Sequence, residues 1–102
     1  MVKKGNLGIP EIIGDKRDTI LALAQKRGAF NVRVFGSVAR GEAREDSDVD
    51  FIANFQDDKD IFDIIGFWLD LKKCLERDVD LITEHDHMNE IAKIAKETAI
   101  SL

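Results

Sequence analysis

The chain has no tyrosine, so any chemistry on a phenolic hydroxyl has to take place on another molecule. Its one cysteine, Cys74, cannot close an internal disulfide, and nothing near it in sequence supplies a base to activate it, which makes it a packing residue. Positive charge is in deficit: 15 Lys and Arg face 20 Asp and Glu, a net charge of −5. Proteins that grip a nucleic-acid backbone do so with clustered Lys and Arg, so a polymerase-like hold on DNA is not expected. No apolar run approaches the ~20 residues a membrane helix needs, and there is no signal-peptide pattern; the expected setting is the cytoplasm, with no membrane partner. Internal repeats and low-complexity tracts are absent as well.

The 102 residues, 44% hydrophobic and 34% charged, suit one domain over 1–102, with 1–14 as an extended or briefly helical lead-in that carries no site. A domain this small has a thin stability margin, which a protein partner or homo-oligomerisation would widen. A helix is expected from Asp15, capped by that residue and ended by Gly28, with Ile20, Leu23 and Ala24 on one face. Asn31 to Gly36 and Val49 to Phe55 read as strands, being short, rich in Val, Ile and Phe, and bounded by polar or turn residues.

In the next segment Ile61, Ile64, Trp68, Leu71 and Leu75 recur at helical spacing, with Phe62, Ile65 and Leu69 beside them, predicting a broadly buried helix. Trp68 and the phenylalanines are expected in the core. Asp78 to Thr83 gives another strand, and Met88, Ile91, Ala95 and Thr98 outline a last amphipathic helix. The fold class is therefore α/β (α+β), with a three-stranded or slightly larger mixed sheet packed against about three to four helices.

Phe35 to Phe51, FGSVARGEAREDSDVDF, carries the chemistry. Strand alternation puts Asp48 and Asp50 on one face and Val49 and Phe51 on the other. Two carboxylates converging on one point repel, and a hard divalent cation, Mg²⁺ or Mn²⁺, relieves them; magnesium typically adds phosphate oxygens and water to one or two carboxylates. Gly36 and Ser37, at a turn entering a helix, offer backbone N–H groups and a hydroxyl to an anion. Asp78 and Asp80 share a face of the later strand, and one of them can complete the metal site. Arg40 and Arg44 are placed to reach phosphate or to form exposed ion pairs, whereas His85 and His87, two apart at a strand-to-helix connection, are expected to face solvent without a metal or catalytic role.

This stretch resembles the nucleotidyltransferase signature of the DNA polymerase beta superfamily, GSxARGxxxxxSDxDL, with Phe51 in place of the leucine. The apolar helix and the VDLI strand that follow it extend the resemblance over about Asp15 to Ala99, closest to the minimal nucleotidyltransferases often encoded beside a HEPN-domain partner. The resemblance implies that Asp48, Asp50 and Asp80 are the catalytic, metal-binding carboxylates, Asp80 rather than Asp78 being the third. It also implies that Gly36, Ser37 and Arg40, the arginine within the signature, bind the nucleotide. ATP is the implied donor and Mg²⁺ (or Mn²⁺) the implied cofactor, with AMP passed to a hydroxyl of a HEPN-type ribonuclease toxin that the chain thereby silences as an antitoxin. Two alternatives remain: a module that neutralises its partner by occlusion without catalysis, and an enzyme modifying a small molecule, for which so short a chain would have to oligomerise to build a pocket.

Overall fold

The computed structural model describes residues 5–84 and 90–102. The single proline opens a four-residue helix, α1 (Ile9–Ile12), where a missing N–H costs nothing, and a 3-10 turn (Gly14–Lys16) runs directly into α2 (Arg17–Arg27). Asp15 does not cap α2 as expected. It lies within the 3-10 turn, and the cap position falls on Lys16, whose helical backbone conformation presents no side-chain cap. At the other end Gly28 does close the helix, with a left-handed φ of 74°.

The chain continues through β1 (Ala29–Phe35), α3 (Gly36–Arg40), β2 (Val49–Phe55), α4 (Ile61–Leu75), β3 (Val79–Thr83), α5 (Glu90–Thr98) and β4 (Ile100–Ser101). The four strands form one mixed sheet in the order β3-β2-β1-β4. β1 runs antiparallel to β2 and to β4, while β2 and β3 are parallel, α4 supplying the crossover that a parallel pair requires. β1 begins two residues earlier than the sequence suggests. Its two-stranded ladder with β2 is interrupted between Phe30 and Arg33, where Asn31 takes a left-handed conformation (φ 52°).

The sheet has helices on both faces. Val49, Phe51, Ala53 and Phe55 turn towards α2 and α4, where Phe55 meets Phe67 edge to face at 6.1 Å and the main core forms. Ile52 and Ala95, both fully buried, belong to the opposite face, which α5 partly covers. On that face Arg33 reaches Asn54 (3.0 Å) and Glu84 (3.4 Å), and Lys96 of α5 lies 3.6 Å from Glu84. A hydrogen bond from Asn54 and the charge of Arg33 hold the Glu84 carboxyl below its ordinary range.

α4 is capped by Asp60, whose carboxylate accepts from the Phe62 and Asp63 amides at 3.0 and 3.2 Å. It is not the broadly buried helix its composition suggests. Phe67, Leu71 and Leu75 face the core, but Ile61, Phe62, Ile65 and Leu69 are exposed, Phe62 to 77%. With one sheet and one neighbouring helix to pack against, α4 can bury a single stripe. Phe30, 49% exposed, is likewise not core, whereas Cys74 packs against the core as expected. His85, His87 and Met88 lie outside the described residues.

Candidate active site

The site is assembled where β1 ends, β2 begins and β3 runs alongside. In the parallel register Asp50 pairs directly with Asp80, so alternation sends both side chains to the same face, and on the other side of β2 Phe35 pairs with Asp50. Asp78 precedes β3; its carbonyl accepts the Val49 amide at 3.0 Å, and its exposed carboxylate lies 4.0 Å from Lys72. Of the two aspartates that sequence alternation leaves in competition, Asp80 is therefore the one beside Asp50.

Gly36 follows Phe35 and starts α3 with φ 73°, a conformation L side chains rarely adopt. A Cβ there would collide with the Asp50 carboxylate, so only glycine lets the backbone come this close. Beyond it Ser37 is half-buried, Val38 is fully buried and anchors the helix, and Gly41 ends it at φ 72°. The first-turn amides of α3 have no partners within the helix and are open to an anion.

Burial, a hydrogen bond with Asp80, and the charges of Asp80 and Asp48 push the Asp50 carboxyl up to about 6, against a weaker opposing pull from Arg40. That is the signature of carboxylates gathered with too little positive charge. An all-oxygen set of this kind fits a hard divalent cation. Among the described residues no three metal-ligating side chains, Asp48, Asp50 and Asp80 included, are gathered closely enough to form a metal cage by themselves. Arg40 itself is exposed and pairs with Glu42 at 3.2 Å. Asp48 sits exposed immediately before β2, and Asp46 is exposed in the loop ahead of it.

Three positioning features had no counterpart in the sequence reading. The Ser47 hydroxyl accepts the Arg44 amide at 2.8 Å, and the Ser47 amide donates back to the Arg44 carbonyl at 3.1 Å, folding the turn that delivers Asp48. Arg77 donates to the Ser47 and Arg44 carbonyls at 3.3 and 3.5 Å across a gap of 30 or more residues. The lead-in also matters: Leu7 and Ala43 exchange two backbone hydrogen bonds of 2.9 Å, tying residues before α1 to the loop after α3. The Ser47 turn is a recognisable local motif, whereas the other two depend on tertiary contact.

The polymerase beta nucleotidyltransferase family model matches residues 19–101. The protein adenylyltransferase MntA of Thermococcus cleftensis is 37% identical over 71 residues, 70% of this chain and 72% of the relative. MJ0435 of Methanocaldococcus jannaschii, for which protein adenylyltransferase activity is proposed, is 31% identical over 71 residues, 70% of this chain and 76% of its own. Among solved structures, a chain proposed to be a minimal nucleotidyltransferase superposes with a TM-score of 0.76 at 39% identity, over 85% of this chain and 89% of that one. A toxin–antitoxin complex with AMP-PNP gives 0.70 at 20% identity, over 82% and 69%, a likeness of fold alone. On the strength of the family match and of the two archaeal relatives, the chain belongs to the polymerase beta-type nucleotidyltransferases and is an enzyme of that class.

Proposed function

We propose that the protein transfers AMP from ATP to a hydroxyl on a partner protein, a HEPN-type toxin encoded with it, and so acts as the antitoxin. The observation that carries this reading is the direct pairing of Asp50 with Asp80, opposite the anion-accepting start of α3 at Gly36 and Ser37. The named relatives support the donor and acceptor classes, since MntA is called a protein adenylyltransferase and its fold neighbour is a toxin–antitoxin complex with AMP-PNP.

In this mechanism Gly36 and Ser37 hold the triphosphate through amide and hydroxyl donors, assisted by Arg40 once it swings from Glu42. Asp48, Asp50 and Asp80 would hold Mg²⁺, which supplies charge neutralisation on the phosphates and a lowered pKa for the attacking hydroxyl. The acceptor oxygen attacks the α-phosphorus in line, the bond from that phosphorus to the bridging oxygen breaks, and pyrophosphate leaves with the electron pair. In this reading Asp80, on the edge strand, takes the hydroxyl proton.

The test is transfer of α-phosphate-labelled ATP, with Mg²⁺, onto the co-encoded protein by the wild type and by the Asp48→Asn, Asp50→Asn double variant. Covalent label that the double variant fails to deposit is the expected result. A stable complex that silences the partner equally well in both proteins, with no label, would replace catalysis with occlusion.

A further inference from the structure

We infer that the exposed face of α4 is the docking surface for the acceptor protein. The inference rests on the proposed transfer to a protein hydroxyl. Seven large apolar side chains are exposed among the described residues, and four of them, Ile61, Phe62, Ile65 and Leu69, lie on this one helix. Clustered apolar surface of this kind marks a protein contact, while scattered exposed residues do not.

The stripe runs into a groove at the edge of the sheet, on the face opposite the Asp50 and Asp80 carboxylates. A groove of about 330 Å³ runs between α4 and the edge strand β3, lined by Ile64, Ile65, Trp68, Leu81 and Asp80. That is within the size range of small-ligand pockets and accommodates one inserted side chain. Trp68 is fixed in its wall: the indole N–H donates to the Val79 carbonyl at 2.6 Å, and Lys72 Nζ stands 4.6 Å over its ring. Ile65 belongs to both the stripe and the groove, so whatever covers the stripe also covers the groove beside the edge strand that carries Asp80.

A second copy of this chain, paired α4 to α4, would bring no acceptor hydroxyl on that helix. α4 contains no Ser, Thr or Tyr, and the whole chain has no tyrosine. Charge also argues against self-pairing. Asp57, Asp58 and Asp60 are exposed at the N-terminal end of the stripe and Asp78 beyond the other, and each chain carries a net −5. Lys72 is already drawn onto Trp68 and Asp78, leaving Lys73 as the exposed cation on α4 itself. The surface fits a different protein, one that offers an apolar helix or ridge flanked by Lys and Arg.

The experiment uses the full chain with Phe62→Ser, Ile65→Ser and Leu69→Ser made singly, positions exposed enough to leave the fold intact. Binding to the purified co-encoded protein is followed by the fluorescence of Trp68, the one tryptophan, without ATP. Label transfer and binding of a fluorescent ATP analogue are measured separately. Each serine variant should bind the partner about tenfold or more weaker and raise its KM for transfer, with ATP-analogue affinity and kcat at saturating partner unchanged. The Asp48→Asn, Asp50→Asn protein should bind the partner normally and transfer nothing.

Partner affinity unaltered by the three substitutions would overturn the docking surface even if transfer is observed. So would a wild type that forms no complex with the partner, or a wild-type dimer that the substitutions turn into a monomer. Weakened binding with no transfer by the wild type would uphold the surface and remove the catalytic reading instead.

Discussion

The Asp50 carboxylate occupies the space that a side chain on Gly36 would fill, so the end of β1 and the start of β2 are interlocked at the centre of the site. The close approach requires a residue with no Cβ and a φ of 73°, and it brings the Asp50 carboxylate up against the backbone of Gly36. Gly36→Ala should lose about 1–2 kcal/mol of stability from the left-handed backbone, and should lose transfer activity out of proportion because Asp50 is displaced. Chemical denaturation and labelled transfer measure the two effects. In a double-mutant cycle on stability, Gly36→Ala and Asp50→Ala should be non-additive, because the second change removes the collision.

The raised Asp50 pKa has a defined sign. In the metal-free protein the folded state keeps a proton on Asp50 up to about pH 6, whereas the unfolded chain releases it near 3.8. Between those values the folded state binds more protons, so this group's contribution to stability falls as pH rises from about 4 to about 6 and stays low above. Asp50→Asn should remove that slope and leave the metal-free protein more stable at neutral pH, while abolishing transfer. Denaturation midpoints measured across pH 4 to 7 with a chelator present check it; a slope that persists in Asp50→Asn would assign it to another group.

Arg77 holds the turn that delivers Asp48, through hydrogen bonds of 3.3 and 3.5 Å. Loss of about 1 kcal/mol of positioning corresponds to roughly fivefold, so Arg77→Ala should raise the Mg²⁺ concentration for half-maximal transfer by about that factor. Arg77→Lys should recover part of it. A Mg²⁺ titration decides the matter, and an unchanged requirement combined with reduced stability would make Arg77 a purely structural residue.

Phe51 departs from the leucine of the family signature on the side of β2 away from the carboxylates, fully buried between the sheet and the helices. Phe51→Leu should cost about 1–1.5 kcal/mol in thermal or chemical unfolding, with KM for ATP shifted by no more than about twofold. A large kinetic change would mean that core packing, and not only strand register, sets the carboxylate geometry.

Much of the architecture was legible in local pattern. β2 and α4 span the segments that their alternation and helical spacing indicate, and the left-handed Gly28 ends α2 as its position suggests. What misled were features judged by composition alone. Asp15 is a good capping residue in the wrong backbone conformation, and Phe62 and Leu69 are core-like residues on a helix face that none of the described residues covers. Ser47 was read as a letter of the signature, but its hydroxyl folds the turn before Asp48. The pairing of Leu7 with Ala43 joins segments whose separation no local periodicity can bridge.

The sequence by itself determined three of the four strands, the main helices and the spacing of the carboxylates, because alternation along a strand and the helical repeat depend only on neighbouring residues; the two-residue β4 is too short to carry such a pattern. Tertiary structure alone decided which aspartate meets Asp50, since that depends on the register of β3 against β2, and which side of α4 stays uncovered, since that depends on what packs across from it. Register and cover are set by contacts between segments distant along the chain, where the energies of burial and pairing are collected and local pattern has no reach.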